Sequence, residues 1–242
     1  EAMLRRALEG REKTLGPDHP DTLASFCFLG RILLIRGQID EASSMHRRAL
    51  EGREKVLGSD HPRTLSSVRD MGDVLQNQGQ YEKAEAMYLR ALEGQEKVLG
   101  ADHPDTLACV SGLANVLYSR GEYERADAMN WRALEGQEKI LGHDHLETLA
   151  TVYRLGITLV RQGKHERAEA MFRWELEGRE KVQGGDHPET LISLHNLGCV
   201  LVRLRQHERA TEMFERALEG REKTLGFYHP DTLASVDNLG VA

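Results

Sequence analysis

Apolar residues recur at helical spacing inside a unit of 42 residues that repeats along the chain. Phe26, Leu29 and Leu33 form one such run, and a second begins at Ala42. Residues three and four positions apart share one face of an α-helix, whereas a strand would alternate apolar and polar positions. Each repeat therefore predicts two helices. The break between them is a glycine, which ends a helix at low cost because it adopts positive φ. These glycines are Gly37, Gly79, Gly121 and Gly163, and the fifth copy has Arg205.

One string, ALEGREKVLGSDHPRTL at 49–65, recurs nearly unchanged at 7–23, 91–107, 133–149, 175–191 and 217–233. Its segment EGREKVLG predicts an extension of the second helix by about two turns. Glu51 and Lys55 stand four residues apart in the favourable order, as do their equivalents. Gly52 and its equivalents each cost about 1 kcal/mol in a helix interior. We expect a neighbouring backbone to pass too close for a β-carbon there, and a local kink is the alternative.

The DHP part of the string predicts the start of the next helix. Asp186, His187, Pro188 and Glu189 resemble a capping box, with Asp as the capping residue and Pro in the first turn. The same role is expected for Asp18, Asp60, Asp102 and Asp144. From the sequence, either the Asp or the following His can be the true cap.

Two helix motifs carry a resemblance to a known family. The first helix reads apolar-x2-Leu-Gly-x2-Leu, as from Val152 to Leu159, and the second reads Ala-x3-aromatic-x2-Ala, as from Ala84 to Ala91. The chain resembles the tetratricopeptide repeat family over essentially its whole length. The longer form with REK and DHP resembles the kinesin light chain repeats and the repeats of fungal and bacterial NTPase-type immune receptors. This resemblance implies an all-α fold, a right-handed α-solenoid superhelix of antiparallel helix pairs with the first helices on the concave wall.

The repeats predict a single array without linkers. Its complete repeats are 19–60, 61–102, 103–144, 145–186 and 187–228, with a partial repeat at 1–18 and another at 229–242. Residue 1 falls midway along a second helix, and residue 242 falls inside a first helix. We therefore expect a segment of a longer array whose uncapped ends either fray or associate head to tail with another copy.

Composition limits the classes of partner and the cellular compartment that we expect. The formal charge of -7 argues against a nucleic-acid partner, because phosphate binding depends on Lys and Arg. No apolar run suits a membrane span, so no membrane partner is expected. The three cysteines, Cys27, Cys109 and Cys199, are odd in number and widely spaced, which is typical of reduced thiols. A cytoplasmic location is expected.

The eleven histidines do not form a chemical motif in the sequence. Six of them share one repeat position, which indicates a structural role; they are His19, His61, His103, His145, His187 and His229. His143 and His145 flank Asp144, but zinc sites use three or four protein ligands. Because the chain also has no H-E-x-x-H motif, phosphate-binding loop or nucleophile elbow, we expect no enzyme activity, no catalytic residue, no metal and no cofactor.

The first helices carry five positions that vary widely between copies, occupied in the first complete copy by residues 27, 28, 31, 34 and 35. In tetratricopeptide arrays this helix lines the groove, and in kinesin light chains the groove takes extended peptides with acidic and aromatic residues. Arginines outnumber aspartates at these positions, with Arg31, Arg69, Arg154, Arg161 and Arg203 against Asp70, Asp73 and Asp237. The predicted groove residues are Arg69, Tyr118, Tyr153, Arg154, Arg161, His195, Asn196 and Arg203.

Aromatic and Arg residues commonly anchor interfaces. We therefore expect a protein-protein interaction scaffold that binds an acidic peptide or protein segment in its concave groove. The competing interpretation of the variation is drift on a solvated wall. The competing function is a structural module that stacks end to end or serves as the sensor arm of a larger receptor-like NTPase.

Overall fold

The structure is a computed structural model that describes residues 1–240. Within these residues there are twelve α-helices and no strand. They are α1 (Ala2–Leu15), α2 (Pro20–Ile35), α3 (Ile39–Leu57), α4 (Pro62–Asn77), α5 (Tyr81–Leu99), α6 (Pro104–Ser119), α7 (Tyr123–Leu141), α8 (Leu146–Arg161), α9 (His165–Gln183), α10 (Pro188–Arg203), α11 (His207–Leu225) and α12 (Pro230–Leu239). The chain divides into two compact units, unit 1 at Glu1–Glu122 and unit 2 at Tyr123–Ala242. The repeat boundaries stay a prediction.

Helix lengths follow the sequence pattern. From α2 to α11, first helices of 16 residues alternate with second helices of 19 residues, so the EGREKVLG segment does extend the second helix. Within each unit, consecutive helices pack against each other through their apolar faces. None of the helices in residues 1–240 is both long and apolar enough to cross a membrane.

The cap of each first helix is the histidine. Nδ1 of His187 accepts a hydrogen bond from the backbone N–H of Glu189 at 3.2 Å, and five further histidines do the same at their own helices. Of the two capping residues that the sequence left open, the structure therefore shows the histidine and not the aspartate. The preceding aspartate instead reaches a lysine one repeat further on, as in the ion pairs of Asp18 with Lys55 and of Asp144 with Lys181. These two lysines consequently do not form the predicted pair within their helix, whereas Lys13, Lys97 and Lys223 do.

Glycines of the Gly52 column pack against a leucine side chain of the preceding first helix. A β-carbon on Gly52 would lie 2.4 Å from Leu23 Cδ2, and one on Gly178 would lie 2.5 Å from Leu149 Cδ2. Both leucines are almost fully buried, so they have little room to move. The close approach was predicted correctly, but its cause is a side chain and not a neighbouring backbone. Gly10 is different, because nothing lies within 4 Å of the position of its β-carbon.

The turns between paired helices require positive φ. Gly163 has φ 72°, and Arg205 has φ 59° at the equivalent position. A non-glycine residue in this conformation costs about 1–2 kcal/mol. The fifth pair therefore keeps the turn geometry in spite of its sequence.

A recurring hydrogen bond joins second helices to the first helices that follow them. Arg53 Nη1 donates to Ser67 Oγ at 2.7 Å in unit 1, and Arg221 Nη1 donates to Ser235 Oγ at 2.5 Å in unit 2. Cys109 donates to Gln95 Oε1 at the same position of another repeat. These bonds fix neighbouring helices in register around the buried leucines and alanines.

Candidate functional site

The predicted groove residues lie on the first helices of both units. Arg69 lies on α4 and Tyr118 on α6, both in unit 1. Tyr153, Arg154 and Arg161 lie on α8, and His195, Asn196 and Arg203 lie on α10, all in unit 2. Each unit therefore carries its own set of candidate residues.

In unit 1, Arg69, Asp70 and Asp73 at these positions have partners, whereas Arg31 is exposed on α2. Arg69 Nη1 donates to Asp105 Oδ1 at 3.2 Å, and Nη2 donates to Asp70 Oδ1 at 3.3 Å. These carboxylates raise the pKa of the guanidinium above its ordinary value against the opposing effect of burial. The Tyr88 hydroxyl donates to Asp73, and burial raises the pKa of that aspartate. Arg69 is therefore already paired within unit 1, and its role in a groove stays a prediction.

In unit 2 the aromatic and amide residues connect neighbouring helices. The ring of Tyr153 meets that of Phe172 edge to face at a centroid distance of 6.0 Å, and Asn196 on the next first helix lies near enough to its hydroxyl to lower the pKa of Tyr153, against the larger effect of burial, which raises it. His195 repeats the pattern, with Phe214 at 5.8 Å and Asn238 Nδ2 at 3.4 Å from its Nδ1. Tyr153, His195 and Asn196 are half-buried and partly engaged in holding α8, α10 and α12 together.

Arg154 is a half-buried cation with incomplete hydrogen bonding. Its Nη2 donates to Thr151 Oγ1 at 2.7 Å, but its buried Nε has no hydrogen-bond partner within residues 1–240. Burial lowers the pKa of this guanidinium, with Glu147 acting in the opposite direction. A buried charged group without full pairing is unfavourable, and a carboxylate from a partner would compensate it.

Arg161 and Arg203 are exposed residues that end α8 and α10. Asp237 is the one acidic residue at the predicted groove positions among the described residues of unit 2, and it is exposed on α12. At the predicted groove positions of unit 2, three arginines therefore stand against one aspartate. We call Arg154, Arg161 and Arg203 the basic face of unit 2.

Sequence reasoning missed a buried polar cluster in unit 1. Cys27 on α2, His46 on α3 and Asp70 on α4 place a sulfur, a ring nitrogen and a carboxylate oxygen within 4.8 Å of one another. Cys27 and Asp70 occupy positions that the sequence assigned to the groove, but both are buried. Burial raises the pKa of the Cys27 thiol, the opposite of what a nucleophilic cysteine needs. A signal was present, since His46 replaces the aromatic residue of the second-helix motif.

The family follows from comparison with known proteins. The tetratricopeptide repeat model matches residues 1–55, 63–138, 111–181 and 175–223, which is most of the chain. The chain belongs to the tetratricopeptide repeat family. Its all-α architecture of stacked helix pairs is that of a TPR solenoid, so the predicted fold class is confirmed. TPR repeats support a protein-protein interaction scaffold, and such proteins are generally not enzymes. No curated protein sequence matches the chain.

Solved TPR structures resemble the chain. A protein of Podosopora anserina described as a kinesin light chain with nearly identical TPR-like repeats is 26% identical, with a TM-score of 0.75; the match covers 86% of this chain and 98% of that one. BtubC (BKLC) of P. vanneervenii is 20% identical, with a TM-score of 0.81, and the match covers 95% and 92%. YrrB, described as a TPR protein with an unusual peptide-binding site, is 16% identical, with a TM-score of 0.57, over 95% of each chain. The predicted kinesin light chain-like repeat type is confirmed.

Proposed function

We propose that this TPR protein binds an acidic protein segment on the basic face of unit 2. The observation that carries the proposal is Arg154, a half-buried guanidinium whose Nε lacks a hydrogen-bond partner among the described residues and whose pKa is lowered by burial. A carboxylate that reaches this side chain would form a charge-assisted hydrogen bond in a place of low dielectric, where such bonds are strongest. YrrB, with its unusual peptide-binding site, is a precedent for this function in a TPR protein.

Arg161 and Arg203 also favour an acidic partner, and they lie at the C-terminal ends of α8 and α10. Both are exposed, and long-range attraction by exposed arginines raises the association rate of a negatively charged partner. Tyr153 and His195 supply aromatic surface beside them, although both also pack against their own second helices. The chemistry of this face therefore favours a segment that combines Asp or Glu with an aromatic residue.

The test begins with a peptide library displayed against the whole chain. Selected peptides are expected to be enriched in Asp and Glu. The variant Arg154→Glu, Arg161→Glu, Arg203→Glu should weaken binding of a selected peptide by at least about tenfold, which is about 1.4 kcal/mol. Raising the ionic strength should weaken binding to the unmodified chain.

A matched control carries the same charge change on the second helices of unit 2. Arg173→Glu, Arg209→Glu, Arg216→Glu alters α9 and α11, where Arg173 and Arg209 pair with the half-buried Glu169 and Arg216 pairs with Glu180. Its peptide affinity should stay within about twofold of the unmodified chain. Equal weakening by both triple variants, or selection of neutral peptides, would contradict the proposal. Sedimentation of all three proteins checks the competing self-assembly function, because an end-to-end assembler should keep its oligomeric state in the basic-face variant while a groove binder should lose its peptide.

A further inference from the structure

We propose that Cys27, His46 and Asp70 form a binding site for a zinc ion within unit 1. Their ligand atoms all lie within 4.8 Å of one another, and His46 Nδ1 is 4.0 Å from Asp70 Oδ2. Tetrahedral zinc with bonds of about 2.0–2.3 Å holds its ligand atoms about 3.3–3.8 Å apart. Side-chain movements of about 1 Å bring the three atoms to that spacing. Within residues 1–240 no other group of three such ligands exists.

The orientation of His46 points to a ligand. The side chain is 1% exposed, and its Nδ1 has no hydrogen-bond partner among the described residues. Its other ring nitrogen, Nε2, lies against α2 beside the backbone of Gly30. A histidine that binds metal through one nitrogen usually donates the other N–H to a carbonyl or carboxylate. Gly30 permits this contact, because a β-carbon there would lie 2.6 Å from His46 Nε2.

The neighbours of Asp70 and Cys27 also match a metal site. Arg69 holds Asp70 Oδ1, which leaves Oδ2 as the oxygen nearer to His46. Ser67 Oγ lies 3.8 Å from Cys27 Sγ and accepts a hydrogen bond from Arg53. A Ser67 hydroxyl that donates to sulfur would stabilise the thiolate. Hydrogen bonds that hold the ligand side chains in this way fix the geometry of a metal site.

The charges balance when zinc is bound. Zn²⁺ displaces the proton of the Cys27 thiol, the proton is released to solvent, and a zinc–sulfur bond forms. Thiolate and carboxylate together neutralise the two positive charges, while His46 binds as the neutral imidazole. Burial raises the pKa of the Cys27 thiol, and the nearby Arg53 and Arg31 partly offset that effect. Cys27 is 8% exposed, so the cluster borders solvent, and water completes the tetrahedron as in three-ligand zinc sites.

Cobalt titration of the reduced protein tests the site. Co²⁺ should bind one per chain and give the thiolate charge-transfer and visible bands of tetrahedral cobalt, and Zn²⁺ should displace it. Cys27→Ser and His46→Phe should each abolish these bands. Each should also weaken zinc binding by more than the roughly 10–100-fold that is lost when a residue supporting a metal ligand is changed. The Phe variant copies the pairing of Phe172 with Gly156, so it suits the fold.

The matched control removes another buried thiol. Cys109→Ser changes a buried cysteine of unit 1 that is hydrogen-bonded to Gln95 and lies outside the cluster of Cys27, His46 and Asp70. It should keep both the cobalt bands and the zinc affinity. The proposal is overturned if the unmodified chain shows no charge-transfer band, or if Cys27→Ser keeps it. Circular dichroism of each variant establishes that a lost band is not a loss of fold.

Discussion

The same three repeat positions carry different chemistry in the two units. In unit 1 they hold Cys27, His46 and Asp70, and in unit 2 they hold Tyr153, Phe172 and Asn196. In both cases a first helix contacts its own second helix and the next first helix. The positions that vary between repeats therefore also have a structural role. These three positions form a joint, the contact that connects a first helix with its second helix and with the next first helix. The residue types in the joint differ between repeats, whereas the helices do not.

The charged residues beside this joint differ as well. In unit 1, Arg69 is bound by Asp70 and Asp105, so its guanidinium is already paired. In unit 2, Arg154 keeps a buried nitrogen without a hydrogen-bond partner among the described residues. A partner's acidic group therefore has more to gain in unit 2. The comparison favours a recognition role for unit 2 and a metal-binding role for unit 1.

The largest change in unfolding free energy is expected when the histidine of the unit 1 joint is introduced at the equivalent position of unit 2. Phe172→His replaces a buried ring by an imidazole opposite Asn196, which offers an amide where Asp70 offers a carboxylate. We expect a loss of about 2–4 kcal/mol of unfolding free energy, from lost apolar burial and an unpaired buried nitrogen. Urea unfolding measures it, with Phe172→Tyr as control, since Tyr88 already occupies this position against Gly72. A His variant as stable as the original would show that the two joints are interchangeable.

A smaller effect is expected at the glycines of the second helices. Gly178→Ala drives a β-carbon against the buried Leu149, and overpacking of about 1–3 kcal/mol outweighs the helix-propensity gain of about 1 kcal/mol. The net loss should be about 0–2 kcal/mol. Gly10→Ala in unit 1 is the matched control; with open space around it, we expect a gain of about 0.5–1 kcal/mol. Thermal unfolding of both variants tests the pair, and stabilisation by Gly178→Ala would refute the packing explanation.

The smallest expected effect is on how the unfolding free energy depends on pH. Burial lowers the pKa of His46, opposed by Asp70 and assisted by Arg31 and Arg53. The unfolded chain then binds a proton before the folded chain does, so this residue makes stability fall as pH drops below about 6.5. The slope from one such group is at most about 1.4 kcal/mol per pH unit. His46→Phe should flatten the pH dependence of unfolding in metal-free buffer. His195 has a lowered pKa in unit 2 and remains in both proteins, so an unchanged slope would contradict the contribution of His46.

Much of the fold could be predicted from the sequence because each helix and turn pattern recurs in several copies of the repeat. Apolar spacing located the paired helices, and the recurring glycines located their turns. The sequence could not decide between Asp and His as the cap, because both side chains can accept a hydrogen bond from a backbone N–H and the lysine partner of the aspartate lies 37 residues away, as for Asp18 and Lys55. Similarly, the glycine column indicated close packing, but the contacting leucine belongs to another helix.

The candidate sites were less accessible to prediction. Variation between copies identified the first-helix positions but could not tell half-buried joints from exposed residues, so Arg69 and Arg203 were grouped together. Cys27, His46 and Asp70 come from three helices, and only the stacking of those helices brings them together. The unusual histidine in the aromatic column is the one local sign of this cluster.

The most direct test of the central claim maps the bound peptide by NMR. A peptide selected from the library is titrated into isotope-labelled protein, and backbone amide shifts are compared between the units. We predict the largest changes along α8 and α10, and weaker ones when the peptide's Asp and Glu are replaced by Asn and Gln. Changes concentrated on α4, or on the second helices, would contradict the assignment of recognition to the basic face of unit 2.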